Sequence, residues 1–285
     1  MKKIPFYRIF LLIITVSLLF YLLQFQENKN IAKTTTLPVI SKNIENPKPC
    51  VRNPDIQFFM YHYIRSHDPH DNASTQDLSV DPEDFRTEMS YVRDRANEWK
   101  ITLMNGVDLI ASLQSRCFPG NHIWVFTSDD GWSDTYTNLV PIAKEYWVPF
   151  FLGIIGNRID TTGFVTSQQV REISNNPLFT ISSHSMTHDE QDKMSEKSEK
   201  YEICESKKIL ENLIKKPILT YIYPVWKMSQ NSQKIAKSCE YSLAWSTGFG
   251  SRWNPTNPSR YDINRIRIHH TTTINLFHHV LEEAK

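Results

Sequence analysis

The chain has 285 residues, 40% of them hydrophobic and 22% charged, with a formal net charge of +1. That suffices for one large core or two small ones. Acidic and basic residues are interspersed, so there is no basic stripe to hold nucleic acid and no acidic tail.

The first segment stands apart. Lys2, Lys3 and Arg8 precede Ile9–Phe25, an apolar run of 17 residues interrupted by Thr15, Ser17 and Gln24. Its length is at the short end of a membrane span. Leu22-Leu23-Gln24-Phe25-Gln26 offers no small-residue cleavage pattern, which favours a transmembrane signal anchor at 9–25 over a cleaved signal peptide. In either case the basic segment 1–8 lies in the cytoplasm and the rest of the chain outside it. The stretch 26–54, rich in Asn, Lys, Thr and Pro, is expected to be a linker. One folded domain is expected over 55–285. Cys50, Cys117, Cys204 and Cys239 form no Cys-x-x-Cys pair. In an exported domain they permit disulfides of undetermined pairing; buried, small apolar side chains are the alternative.

Within the domain, strand-like and helix-like segments alternate. Gln57–Tyr61 is a short apolar strand. Asp81-Pro82 opens a helix with Phe85, Met89, Val92, Ala96 and Trp99 at helical spacing. Strands are expected at Ile101–Met104, Ile123–Thr127, Phe150–Ile155 and Leu178–Ser182, with helices at Val107–Leu113, Asp134–Tyr146 and Ser167–Ser174. A charged helix over Glu196–Lys215 precedes strand Ile218–Tyr223 and helix Ser229–Ser238. Strands Ser242–Trp245 and Ile263–Ile268 and a closing helix Ile274–Glu283 follow. Such alternation predicts a parallel α/β sheet. Seven or eight units without Gly-x-Gly-x-x-Gly favour a barrel over a dinucleotide fold. Barrel chemistry lies at the C-terminal ends of strands, where Asp129, Asp130, His184 and Tyr223 fall.

Asp129-Asp130-Gly131 by itself is a turn sequence. His184 and His188, four apart, share a face if they occupy one helical turn, with Ser182 and Ser183 as caps. Together the two segments offer more. A hydrolytic metal site of the zinc type takes three ligands from His and carboxylate and keeps one position for water. One Asp and two His fill that count. The second Asp is then free as general base toward metal-bound water, whose pKa falls to about 7.

Phe126-Thr-Ser-Asp-Asp-Gly131, Tyr136–Tyr146 and Ser183-His-Ser-Met-Thr-His188 resemble the polysaccharide deacetylase family, carbohydrate esterase family 4, with its NodB-homology domain. Met60-Tyr61-His62 and Arg265-Ile-Arg-Ile268 look most like the branch acting on poly-N-acetylglucosamine. The resemblance implies a distorted (β/α) barrel of about seven parallel strands. It also implies metal-dependent removal of acetyl groups from sugars, with Asp129 as base and Asp130, His184 and His188 as metal ligands. A backbone N–H near Tyr223 would serve the oxyanion. The ligand set suits zinc, and also cobalt, nickel or iron.

Three departures from the family pattern stand out. Ser128 replaces the usual aromatic residue before Asp-Asp-Gly. Ile222-Tyr223-Pro224-Val225 lacks the arginine that orients the base, for which Arg265 or Arg267 is available, Arg265 being favoured. The general acid has three candidates, His269, His270 and His62. Trp132, Trp226, Trp245, Phe249 and Trp253 fall in or beside loops at the catalytic end, and Trp132 and Trp226 are expected to border the cleft with Tyr223 and His62. The expected activity is that of an envelope-located or secreted deacetylase of acetylated polysaccharide. The alternatives are lipid-linked or short acetylated sugars, peptidoglycan, or a non-catalytic carbohydrate-binding relative. A metalloprotease is disfavoured, because the His pair lacks the Glu of His-Glu-x-x-His.

Overall fold

Among the described residues ten short strands carry the fold: β1 Asp55–Tyr61, β2 Tyr63–Ile64, β3 Ser79–Val80, β4 Thr102–Leu103, β5 His122–Ser128, β6 Phe150–Ile154, β7 Phe179–Ser183, β8 Thr220–Ile222, β9 Leu243–Trp245 and β10 Ile266–Arg267. The computed structural model describes residues 50–285 except 227, 248–252, 257–258, 273 and 284–285, and the side chains of 226, 276, 280, 282 and 283. The expected cytoplasmic segment 1–8, the anchor 9–25 and nearly all of the linker therefore lie outside the described residues. Among the described residues no helix is long and apolar enough to cross a membrane.

Seven strands pair in parallel in the order β10-β1-β5-β6-β7-β8-β9, and β4 lies beside the first half of β5. The sheet curls in the manner of a (β/α) barrel. Between β9 and β10 the seam is bridged by a parallel pairing of Trp245 with Ile263. These strands are apolar on both faces, as parallel strands covered by helices must be. Alternation sorts their side chains. Ile56 and Phe58 of β1, Ile123 and Val125 of β5 and Ile222 of β8 fill the inner core with Trp245 and Trp253. Phe59, Phe126, Phe150 and Phe179, in register across four strands, face the helices.

Local chemistry sets the helix ends. Asp81 caps the helix Pro82–Trp99 by accepting the Glu83 N–H, proline supplies the first turn, and Phe85, Met89, Val92 and Ala96 are its buried stripe. Thr166 and Gln169 form a capping box on Ser167–Ser174. Three elements differ from the sequence expectation. The helix after Asp134 begins with a π turn, Thr135–Leu139, before Val140–Glu145. The long charged helix has a π turn at Tyr201–Glu205 between Glu196–Lys200 and Ser206–Ile214. β2, β3 and the helix Ala73–Asp77 form an additional insert, too short to register as periodicity.

The cysteines pair Cys50–Cys117 and Cys204–Cys239, with Cα separations of 4.8 and 5.5 Å. The first pins the start of the domain, where Val51 bridges Phe118.

At the end of β1, Tyr61 donates a 2.9 Å hydrogen bond to Glu88, which is 2% exposed. Burial pushes the Glu88 carboxyl up to about 8. Between the ordinary carboxylate range and that value, the unfolded chain has released this proton while the folded one retains it. Stability should therefore fall by roughly 1.4 kcal/mol per pH unit from about pH 5 to 8 on this account. Glu88→Gln should flatten that decline, measured by urea unfolding at both ends of the range.

Candidate metal centre and active site

The inner face that carries Ile123 and Val125 continues through Thr127 to Asp129, just past β5, and the same alternation on β1 leads from Phe58 to Met60 and His62. An apolar plug is thus topped by a polar layer at the C-terminal ends of the strands. Asp129 is 2% exposed and Asp130 7%.

A strained turn separates these adjacent carboxylates. The Gly131 N–H donates back to the Asp129 carbonyl (3.0 Å), and Asp130 between them has φ 75°. This is a γ-turn, a conformation costly for a residue with a side chain. Gly131 also has φ 75°, and a Cβ there would sit 2.8 Å from the Ile154 Cδ1 atom, so a side chain would be strained and would displace that methyl.

Asp129 meets Arg265. The two guanidinium nitrogens reach its two oxygens at 2.7 Å each, one of them also donates to the Thr127 Oγ1 (2.8 Å), and Nε donates to the Ser246 carbonyl (3.1 Å). Burial pushes the Asp129 carboxyl up, but the Arg265 guanidinium outweighs it and holds the group below its ordinary range. Arg267 instead pairs with Asp77.

Asp130 turns the other way. Trp132 Nε1 donates to its Oδ2 at 2.9 Å, while Oδ1, buried and without a hydrogen-bond partner among the described residues, lies 3.2 Å from Nε2 of both His184 and His188. The three prospective ligand atoms lie within 4.8 Å of one another. His184 Nδ1 is 2.9 Å from the Ile222 carbonyl, which fixes the proton on Nδ1 and leaves the Nε2 lone pair facing Asp130. A bare oxygen facing two imidazole nitrogens fits a divalent cation.

The two histidines do not share a helical turn. Ser182 and Ser183 belong to β7 and cap nothing. The chain beyond them reverses through Ser185 (φ 64°) and His188 (φ 72°), with the His188 N–H bound to Ser185 Oγ at 3.0 Å. Convergence comes from this loop, not from helical periodicity.

Of the three candidate acids, the imidazole beside Asp129 is His62. It is 6% exposed, with Nε2 3.9 Å from Asp129 Oδ2, and Nδ1 has no partner among the described residues. Burial lowers its pKa, with Asp129 and Asp130 opposing. Ser128 holds this segment through a 3.2 Å bond from Oγ to the His62 carbonyl, which gives the departure at that position a local role. His270 belongs elsewhere: its N–H donates to the Asp77 carbonyl and its ring packs on His67. His269 contacts Asp77 at 3.0 Å.

The expected substrate contacts also change. Trp132 has both faces covered, by Tyr63 (centroids 4.6 Å) and Phe164 (4.2 Å), so neither can stack on a sugar; its indole N–H serves Asp130. Tyr223 is fully buried on the helix side against Tyr221, and its N–H is committed to the Trp245 carbonyl. It can supply neither a cleft contact nor an oxyanion donor. Trp245 and Trp253 are core. The Trp226 side chain and Phe249 lie outside the described residues. Sequence reasoning missed Thr127, which strand alternation from Asp129 could have revealed. It also missed the Ser246 and Ile222 carbonyls, for which no sequence signal exists.

Residues 118–244 match the polysaccharide deacetylase family. A putative polysaccharide deacetylase of Bacillus subtilis, YxkH, is 24% identical over 215 residues, spanning 75% of this chain and 71% of its own. Among solved structures, the Streptococcus pyogenes deacetylase PplD in complex with acetate superposes with a TM-score of 0.71 at 20% identity, covering 80% of this chain and 98% of its own. A de-N-acetylase from Aggregatibacter actinomycetemcomitans superposes at 0.66 with 16% identity, covering 79% and 99%. Both establish the likeness of fold.

Trp132→Phe keeps the ring stack and deletes only the bond to Asp130. It should weaken divalent-cation affinity by roughly 10- to 100-fold, read by chelator competition. Arg265→Ala leaves Asp129 buried and unpaired. It should cost about 3–5 kcal/mol in chemical denaturation and raise the Asp129 titration point in carboxylate NMR.

Proposed function

We propose, for a chain that carries a polysaccharide deacetylase domain, that it hydrolyses N-acetyl groups on the sugars of an extracytoplasmic polysaccharide, poly-N-acetylglucosamine being the favoured substrate. The observation that carries this reading is the division of labour between adjacent carboxylates. Asp130 faces the His184 and His188 nitrogens, while Asp129 faces Arg265 with no part in that cluster.

Asp130, His184 and His188 are the residues that would hold a divalent ion, zinc fitting the donor set, with cobalt, nickel and iron also compatible. Such an ion supplies Lewis acidity and a water of lowered pKa. Asp129, kept ionised and aimed by Arg265, takes the proton from the attacking water. As the carbonyl carbon gains the water oxygen and the C–N bond breaks, the leaving nitrogen needs a proton. The geometry favours His62 as its donor, because His62 is the imidazole beside Asp129. The products are acetate and a free amine on the sugar.

The support for N-acetylated glycan is the family match, the likeness of Met60-Tyr61-His62 and Arg265–Ile268 to the poly-N-acetylglucosamine branch, and the fold shared with a protein described as a de-N-acetylase. Two disulfides suit an oxidising compartment. With the charged and apolar start of the sequence, they support a domain outside the cytoplasm, held to the membrane by 9–25 or released by cleavage.

Asp130→Asn and His184→Ala should lose both bound zinc and acetate release. Asp129→Asn and His62→Gln should retain zinc and lose roughly 10²- to 10⁴-fold in turnover. The assay is acetate release by the full chain from N-acetylglucosamine oligomers, N-acetylated peptidoglycan and lipid-linked sugars in parallel. Full turnover by Asp129→Asn would overturn the base assignment. Faster release from peptidoglycan or from the lipid-linked sugars would overturn the favoured substrate.

A further inference from the structure

The loop between the two histidines is held on one side by the N–H groups of Gly156 and Asn157, which donate to the Ser185 and Met186 carbonyls, and on the other by the helix behind it. Glu202, 4% exposed, points its carboxylate into that loop. Oε2 accepts the N–H of Met186 (2.9 Å) and of Thr187 (2.8 Å), and Oε1 accepts the Thr187 hydroxyl (3.0 Å). These are charge-assisted bonds to consecutive residues lying between His184 and His188, the one to Met186 buried and those to Thr187 partly so.

The helix is adapted to deliver this carboxylate. Glu202 lies in the π turn Tyr201–Glu205, and π turns leave backbone carbonyls that need partners from outside the helix. Tyr241 OH donates to the Ile203 carbonyl (2.8 Å), and Ser206 Oγ bonds the Glu202 carbonyl (2.7 Å). Ser183 Oγ, one residue before His184, donates to Ser206 Oγ at 2.6 Å. The disulfide Cys204–Cys239 ties the same turn to the end of helix Gln230–Ser238. The turn thus grips the loop on both sides of His184: before it through Ser183, and after it through Met186 and Thr187.

We propose that Glu202 is a positioning residue that holds the His184–His188 loop in its metal-binding shape. It touches neither the three ligand atoms nor Asp129, and acts through backbone N–H groups that have no helix or strand to satisfy them. The proposal rests on Asp130, His184 and His188 being the metal site.

The test measures Co²⁺ binding by the full chain, as affinity and as the visible spectrum of the bound ion. Glu202→Ala should weaken affinity roughly 10- to 100-fold, as loss of a supporting partner does in other metal sites, and should alter the spectrum. Glu202→Gln retains an acceptor oxygen for the two N–H groups and should recover most of the affinity. Glu199→Ala is the control for damage to the fold. Glu199 is also buried on this helix, but it bonds Ser229, Asn231 and Ser232 at the start of the next helix. It should lower the melting temperature and leave Co²⁺ affinity unchanged. Wild-type affinity and spectrum in Glu202→Ala, or equal weakening in Glu199→Ala, would overturn the positioning role alone. Absence of Co²⁺ binding by the wild-type chain would overturn the metal site and this inference with it.

Discussion

The buried pair between Arg265 and Asp129 is the contact on which the site and the barrel both depend. Its residues lie 136 positions apart in the sequence, one just past β5 and one just before β10. The same guanidinium reaches Thr127 on β5 and the carbonyl of Ser246 after β9. It therefore adds a side-chain tie to the seam where Trp245 pairs with Ile263 and Ser246 bonds Asp262. Two opposite charges removed from water are costly unless every donor and lone pair is matched. Here the matching is close to complete, and it holds the Asp129 carboxylate ionised in one orientation.

The second carboxylate could not share that partner, and the γ-turn at Asp130 ensures that it does not. Strain of order 1–3 kcal/mol at one residue is tolerable when its surroundings hold it in place. Trp132, clamped between Tyr63 and Phe164, fixes one oxygen; the histidine loop faces the other. Aromatic residues at the C-terminal ends of strands invite a stacking role, yet a ring with both faces covered contributes through its N–H.

Along the strands the sequence was highly legible. Continuous apolar runs flanked by caps and turns carry their own evidence, and the expected boundaries of β5, β6 and the helix Ser167–Ser174 lie within a residue of those observed. The π turns were not legible, because a charged stretch such as Glu199–Glu205 reads as a solvated helix face. Glu199 and Glu202 share the inward stripe with Ile203 and Leu210, and a carboxylate on an apolar stripe was the available signal. The helical reading of His184 and His188 failed because spacing of four fits both a helix and a tight loop. Residues in left-handed conformation, such as Ser185 and His188, announce themselves only in three dimensions.

By itself, the sequence determined which chemistry was available: two adjacent carboxylates and a histidine pair, each following an apolar strand in a parallel α/β order. Those are local properties, written in residue type and spacing. Which carboxylate meets which partner, which arginine closes the seam, and which histidine stands beside Asp129 depend on contacts between residues 136 to 138 positions apart, or 67 in the case of His62 and Asp129. No spacing rule reaches that far. The curl of the sheet brings those residues together, and only the packed structure could decide among candidates that the sequence left equivalent.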